Sequence, residues 1–342
     1  MTSARAHRLR VVCMGGGTGM ATLLSGLKRY VGATTGPVSL QGLTAVVAVT
    51  DDGGSSGRLR DEFRILPPGD VRNCIVALSD DTALLSRLFQ FRFDGNGSLG
   101  GHSLGNLLLT ALTSVKGDFL QAIRAASDVL AIRGTIYPAT MENVHLVADL
   151  ADGTRVRGET RIAAAKVPIS AVRLEPANCR PLPETLEALR DADIITVGPG
   201  SLFTSLVPTL LVPGVAEAMR SSSALRIFVG NIMTQPGETP GFTASDHLRR
   251  IQELCGPDLF HLALVNSEPP SMKALRRYRR DGAETVAVDV ARFRKLGVDV
   301  VQRRVLAEDA LVRHHPDKLA RTILRLKLSG AIGRAVRERR AG

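Results

Sequence analysis

The chain has 342 residues, no tryptophan, 4 % aromatic residues and a formal net charge of +11 at pH 7. That length suits one large α/β domain or two smaller ones. So few aromatics argue against a nucleic-acid platform built on base stacking, and the positive balance suits an anionic ligand.

Part of the excess charge lies in the runs 276–280 and 334–340, which read as solvated basic faces. Cys13, Cys74, Cys179 and Cys255 are scattered with no C-x-x-C pair, so zinc-finger and redox motifs are not expected. The basic start MTSARAHRLR has no following signal-peptide core, and the apolar run 11–14 is too short to span a membrane. A soluble cytoplasmic protein with free thiols is expected.

In chain order, residues 8–14 read as a buried strand that breaks into GGGTG, and Met20, Leu23, Leu24 and Leu27 then recur at helical spacing. Residues 33–42 read as a connection and 43–50 as a second buried strand, because its apolar run does not alternate. It breaks into DDGGSSGR. After Pro67-Pro68-Gly69, Asp70 is expected to cap a helix through Leu78. Further helices are read at 84–93, 104–115 and 119–130. Residues 143–150 and 154–162 alternate around Asp152-Gly153, a hairpin signal, so an antiparallel insertion is expected within 135–176. The α/β rhythm resumes with a helix at 186–189. Strands at 192–197 and 225–229 break into GPGSLFTS and GNIMTQPGETPG. A helix from Ala244, a strand at 260–265 and a final amphipathic helix within 311–324 follow. The fold class is α/β: a Rossmann-like, doubly wound, mainly parallel sheet. Four of its strands end in polar, glycine-rich loops, and a parallel sheet gathers such ends on one edge, where ligands bind.

Gly15, Gly16, Gly17, Thr18 and Gly19 would present backbone N–H groups and a helix N-terminus to phosphate. The spacing is not the dinucleotide fingerprint, and the Walker lysine is absent. Asp51 and Asp52, with Gly53 and Ser55, could bind a metal such as Mg²⁺, accept from ribose or base, or hold a proton. Gly198, Gly200 and the hydroxyls of Ser201, Thr204 and Ser205 suit a diphosphate or a sugar, against the competing reading of a capped helix start. Asn231, Thr234, Gln235 and Glu238 fit recognition of a base or sugar. Asn106 sits at a helix start beside His102, itself more often a structural donor. His314 and His315 are adjacent, and on a helix they would point apart. Arg313 stands before the last helix and could clamp phosphate; its competing reading is a surface charge.

The segments GGGTG, TDDGGSSGRLR, PPGDVRNC, GHSLGN, GPGSLFTS, NIMTQPGET with ASDH, and VRHHP together resemble the YvcK-type gluconeogenesis factors. These are UDP-sugar-binding relatives of the CofD phospholactate transferases. The resemblance runs from near residue 11 to near residue 316, and TDDGGSSGRLR and MTQPGET are its most specific parts. It implies a CofD-like domain, taken as residues 8–330 with a basic tail at 331–342. It also implies cytoplasmic location, binding of UDP-N-acetylglucosamine, and a role in cell shape and envelope synthesis during gluconeogenic growth. Gly15 to Gly19 would hold the phosphates, Gly198 to Thr204 would complete that cradle, and Asn231 to Glu238 would line the sugar or base. Tyr278 matches a family tyrosine near the nucleotide, and Arg313 an arginine associated with ligand binding. Relatives carry a threonine, a kinase target, where this chain has Pro316. The expected role is a regulator acting through an envelope-synthesis or signalling protein, in a chain that could pair as a homodimer and contacts neither nucleic acid nor the membrane interior. The alternative is a CofD-like transferase with Asp51 or Asp52 holding Mg²⁺. A nicotinamide dehydrogenase has fold-level support only.

Overall fold

The computed structural model describes residues 7–80 and 83–329; the expected basic tail, 331–342, lies outside them. The first half runs β1 (His7–Gly15), α1 (Gly17–Leu27), β2 (Val38–Val47), α2 (Gly54–Phe63), α3 (Gly69–Leu78), α4 (Ala83–Gln90), α5 (Leu104–Lys116), α6 (Phe119–Val129) and β3 (Thr135–Pro138). Then come β4 (His145–Leu150), β5 (Arg155–Arg157), α7 (Glu159–Ala164), β6 (Ile169–Glu175), α8 (Pro183–Arg190) and β7 (Ile194–Val197). A π-helical turn (Leu202–Leu206) leads into α9 (Val207–Leu211), α10 (Val215–Ser221), β8 (Leu225–Val229), α11 (Ala244–Cys255) and β9 (Leu262–Asn266). The chain closes with α12 (Met272–Arg280), α13 (Val290–Lys295), β10 (Asp299–Arg303), β11 (Leu306–Glu308), β12 (Val312–His314) and α14 (Pro316–Leu328).

Seven strands form one parallel sheet in the order β10-β9-β8-β7-β1-β2-β3. Its central strands are buried without alternation, as helices on both faces require: Val11, Val12, Cys13 and Met14 in β1, and the whole of β7 and β8, which are apolar but for Thr196 and Arg226. The chain builds outward from β1 through β2 to β3, then returns to β7 on the other side of β1 and builds the opposite way. The switch point therefore lies between β1 and β7, where an open α/β sheet leaves a crevice at its carboxyl edge. The four glycine-rich loops follow β1, β2, β7 and β8, which are contiguous in the sheet. Among the described residues no single helix is long and apolar enough to cross a membrane.

The structure corrects four local expectations. β2 starts at Val38, inside the stretch read as a connection, because its first half lies half-buried beside β1 and tolerates Ser39 and Gln41. Residues 135–138, assigned to the insertion, pair in parallel with β2 in the main sheet. The insertion proper is a three-stranded antiparallel sheet, β5-β4-β6, and the expected strand 154–162 is only Arg155–Arg157 before Gly158 turns the chain into α7. Asp70 is not the α3 cap: Pro68 occupies that place, and Asp70 lies in the first turn with its carboxyl group turned to the Gly17 N–H.

Candidate functional site

The site grows from the end of β1. Gly16 is extended and caps α1 with no side chain of its own; the Asp70 carboxyl group takes the Gly17 N–H, and the next first-turn amides are left for a ligand. A Cβ at Gly19 would collide with the Pro199 carbonyl, so glycine there lets α1 approach the turn after β7. That turn is tied to the β8 loop by Asn231: its Nδ2 donates to the Gly200 carbonyl at 2.8 Å, and its Oδ1 accepts from Gly200 N at 3.2 Å. Strand β12, which pairs with β11, and Tyr278 of α12 close the far side. Between these elements lies a cavity of about 290 Å³.

Eleven of the residues singled out from sequence line this cavity: Gly16, Gly17, Thr18, Gly19, Gly200, Ser201, Asn231, Thr234, Gln235, Tyr278 and Arg313. Several are already engaged. Gln235 Nε2 donates to Ser201 Oγ at 2.7 Å, which leaves its Oε1 buried without a partner. Thr234 exchanges hydrogen bonds with Glu284. The Tyr278 hydroxyl accepts from Val312 N at 3.0 Å and so positions the strand that carries Arg313. Arg313 is exposed, while its neighbours Val312 and His314 are buried, as alternation along a strand requires.

Gly15, Gly198, Thr204 and Glu238 stand behind the wall rather than in it. Glu238 accepts from Phe203 N at 3.0 Å and Thr204 Oγ1 at 2.9 Å, so it secures the start of the π-helical turn. Burial raises its carboxyl pKa. Ser205, one of the expected hydroxyls, and Met233, within the expected stretch 231–238, also line the cavity; Thr22, Leu311 and His314 line it and were not foreseen. His314 escaped because the histidine pair was read on a helix. It ends β12, while His315 precedes α14. Burial lowers its pKa to about 4, so the ring is neutral near pH 7. The strand alternation of Val312 and His314 about Arg313 was the signal available.

The β2 end forms a second flank of the same glycine turn. Asp51 Oδ1 accepts from Gly53 N at 2.9 Å. The Asp70 carboxyl group lies nearby, under the glycine turn. Desolvation, and then the Asp51 charge, raise its pKa to about 7 against the stabilising Gly17 N–H. Glu159, pushed well upward by burial, accepts from Thr50 Oγ1 at 2.5 Å and feels both aspartates. Ser55 bonds His102 Nδ1 at 3.0 Å and accepts from Asn106 Nδ2 at 3.1 Å, while Asn106 Oδ1 is buried without a partner. Asp52 turns away to the insertion, where it accepts from Thr160 N and Oγ1, both at 2.9 Å. The two adjacent aspartates therefore diverge. Among the described residues no group of three His, Cys, Asp or Glu side chains could hold a metal ion.

A seven-stranded parallel sheet that opens a glycine-walled cavity at its switch point defines a Rossmann-like α/β protein. A family model described as 2-phospho-L-lactate transferase CofD matches residues 11–306. A gluconeogenesis factor of Halalkalibacterium halodurans is 48 % identical over 92 % of this chain and 95 % of its own length. Another, from Bacillus subtilis, is 42 % identical over 93 % and 98 %. A crystal structure of a UPF0052-family protein from Bacillus halodurans superposes with a TM-score of 0.87 at 47 % identity, covering 93 % of this chain and 99 % of that one. The chain belongs to the CofD family, in the branch of the gluconeogenesis factors.

Proposed function

We propose that the chain is a cytoplasmic regulator that binds UDP-N-acetylglucosamine in the cavity between β1 and β7. On this reading it acts on cell shape and envelope synthesis during gluconeogenic growth through a protein partner. The observation that carries the reading is the convergence of two kinds of positive potential on one cavity: the amide end of α1 beyond the Gly17 N–H that Asp70 takes, and the Arg313 guanidinium. A diphosphate needs a cation and several N–H donors. Ser201, Ser205 and Thr22 add neutral groups that can hold hydroxyls or a base edge. The test is calorimetric titration with UDP-N-acetylglucosamine, UDP-glucose, GDP and NAD. Tight binding confined to the uridine ligands supports the reading, and no binding of any uridine ligand sinks it.

One observation favours the transferase as a second reading. The Asp70 carboxyl group, with a pKa near 7, touches the Gly17 N–H of the same cradle. It could take the proton of an acceptor hydroxyl while a new ester bond to phosphorus forms and the nucleotide leaves. Release of nucleotide that depends on an added acceptor would support this reading, and binding without turnover would support the regulator.

A further inference from the structure

Helix α12 forms part of the cavity wall and carries a different surface on its outer side. Ala274, Leu275 and Tyr278 pack inward against Ile232, Met233, Leu306 and Val312. At 3.6 residues per turn, the side opposite these three presents Lys273, Arg276 and Arg280 as one stripe, at spacings of three and four. Arg277 and Arg279 flank the stripe, and all five cations are exposed. The frame beneath them is fixed. Ser271 caps the helix by accepting from Ala274 N at 3.2 Å, and its own N–H donates to Glu308 Oε2 at 2.7 Å. The Tyr278 hydroxyl ties the helix to β12.

A helix face that only meets water ordinarily mixes its signs. On α11, Arg249 pairs with Asp246 and Glu253, and Arg250 with Glu253. On α12 none of the five cations forms an ion pair with the described residues. Glu308 feels Lys273 and Arg277, but both its oxygens accept from Ser271. Lys273 stands in the first turn, where the helix dipole disfavours a cation and no acid offsets it. Lys273 and Arg277, and Arg276 and Arg280, lie one turn apart, and like-charge pairs at that spacing weaken a helix. The dipole favours only the last-turn arginines. Uncompensated charge on one exposed stripe is built to meet an anion from outside.

The stripe has no apolar centre, whereas the core of a protein–protein interface is depleted of charge. A polyanionic surface needs only the charge. Met272 favours lipid over a nucleic-acid duplex: it is 61 % exposed at the edge of the stripe, and a lipid interface accepts apolar side chains beside cations. We propose that α12 is a docking surface for the anionic headgroups of a lipid bilayer, with Lys273, Arg276 and Arg280 as its contacts. Tyr278, which lines the cavity, lies on the other side of the helix, so lipid and cavity ligand use opposite faces. The inference does not depend on the nucleotide-sugar reading.

The test is co-sedimentation of the full chain with vesicles of phosphatidylcholine alone, or with one-third phosphatidylglycerol, at low and high salt. The unmodified chain should bind only the phosphatidylglycerol vesicles, and salt should release it. Each cation near an anionic surface is worth about fivefold in partitioning, so Lys273→Gln/Arg276→Gln/Arg280→Gln should weaken binding roughly a hundredfold. Its melting temperature should not fall, because glutamine keeps the helix and relieves the repulsion. Arg294→Gln/Lys295→Gln removes exposed charge from α13 instead and should bind as the unmodified chain does. Absence of binding to phosphatidylglycerol vesicles overturns the proposal. A comparable loss in the α13 variant also overturns it, since net charge alone would then be at work. Tighter binding of a duplex oligonucleotide than of vesicles at the same salt, lost in the α12 variant, would assign the stripe to nucleic acid and overturn the proposal too. Should the α12 variant melt early, Arg280→Gln alone should still cost about fivefold, and unchanged binding there overturns the proposal.

Discussion

The two flanks of the GGGTG turn are built from the same kinds of residue and do opposite things with them. Towards β7 and β8 the polar groups face an open cavity, and the one cation, Arg313, is exposed. Towards β2 the polar groups face one another: the half-buried carboxyl groups of Asp51, Asp70 and Glu159 on one side, the buried Ser55, His102 and Asn106 on the other. The difference is burial. An exposed guanidinium keeps its charge and can meet a ligand's charge. A buried carboxyl group beside another is driven towards its neutral form. One flank is therefore able to attract an anion, and the other makes the fold sensitive to pH.

The largest expected effect follows from Asp70. Its pKa is raised from 3.8 to about 7 in the folded protein. Below about pH 4 the group is protonated in both states and its contribution to stability is fully present. As pH rises the unfolded chain ionises first and binds fewer protons, so stability falls, and the loss is complete above about pH 7. A rise of that size corresponds to about 4 kcal/mol at most. Denaturant unfolding of the unmodified chain and of Asp70→Asn between pH 4 and 8 checks this. The variant should flatten the slope, and an identical slope would mean that the β2 flank does not titrate as a buried unit.

Gly19 comes next, because through it α1 packs against the turn after β7. Gly19→Ala drives a Cβ into the backbone of Pro199, which cannot rotate away. Overpacking of this kind costs roughly 1–3 kcal/mol. It should also part α1 from the β7 turn and remove ligand binding. A variant that binds normally would show that the cradle tolerates a wider spacing.

Arg313→Ala tests the open flank alone. Loss of one charge-assisted contact should weaken UDP-N-acetylglucosamine binding by about tenfold to a hundredfold, or roughly 1.5–3 kcal/mol. The unliganded melting temperature should barely move, since the side chain is exposed. A drop of several degrees would assign Arg313 to packing of β12. Asp52→Ala is the matching test on the closed flank. It removes the acceptor of Thr160 N at the start of α7, at a cost of about 1 kcal/mol in stability, and leaves affinity unchanged.

The fold was legible because it rests on long apolar runs. The mainly apolar runs of β1, β7 and β8 and their glycine breaks point to a parallel sheet and its functional edge. The cavity was half legible. Gly16 to Gly19, Gly200, Ser201, Gln235 and Arg313 carry local signals of turn chemistry and charge, and they line it. Glu238, Thr204 and Asp52 carry the same signals, yet their oxygens are consumed by Phe203, Thr204, Glu238 and Thr160. Only three-dimensional packing decides which polar group is left free. Asp70 shows the converse: a residue with the composition of a helix cap becomes a desolvated acid because Gly17 comes within reach from the end of another strand.

The smallest expected effect is also the most discriminating. Tyr278 touches the open flank in two ways: its ring lines the cavity, and its hydroxyl accepts from Val312 N. Tyr278→Phe keeps the ring and leaves that N–H without its acceptor, at a cost of about 1 kcal/mol. If the hydroxyl serves only to place β12, unliganded stability should fall by that amount. Affinity should then fall by no more than about fivefold, because Arg313 keeps its charge and loses only some of its positioning. Titration and melting curves of Tyr278→Phe beside Arg313→Ala separate the two roles. An affinity loss as large as that of Arg313→Ala, with stability unchanged, would mean that the hydroxyl leaves Val312 to bond the ligand directly. The open flank would then hold a second ligand contact that the unliganded structure spends on its own backbone.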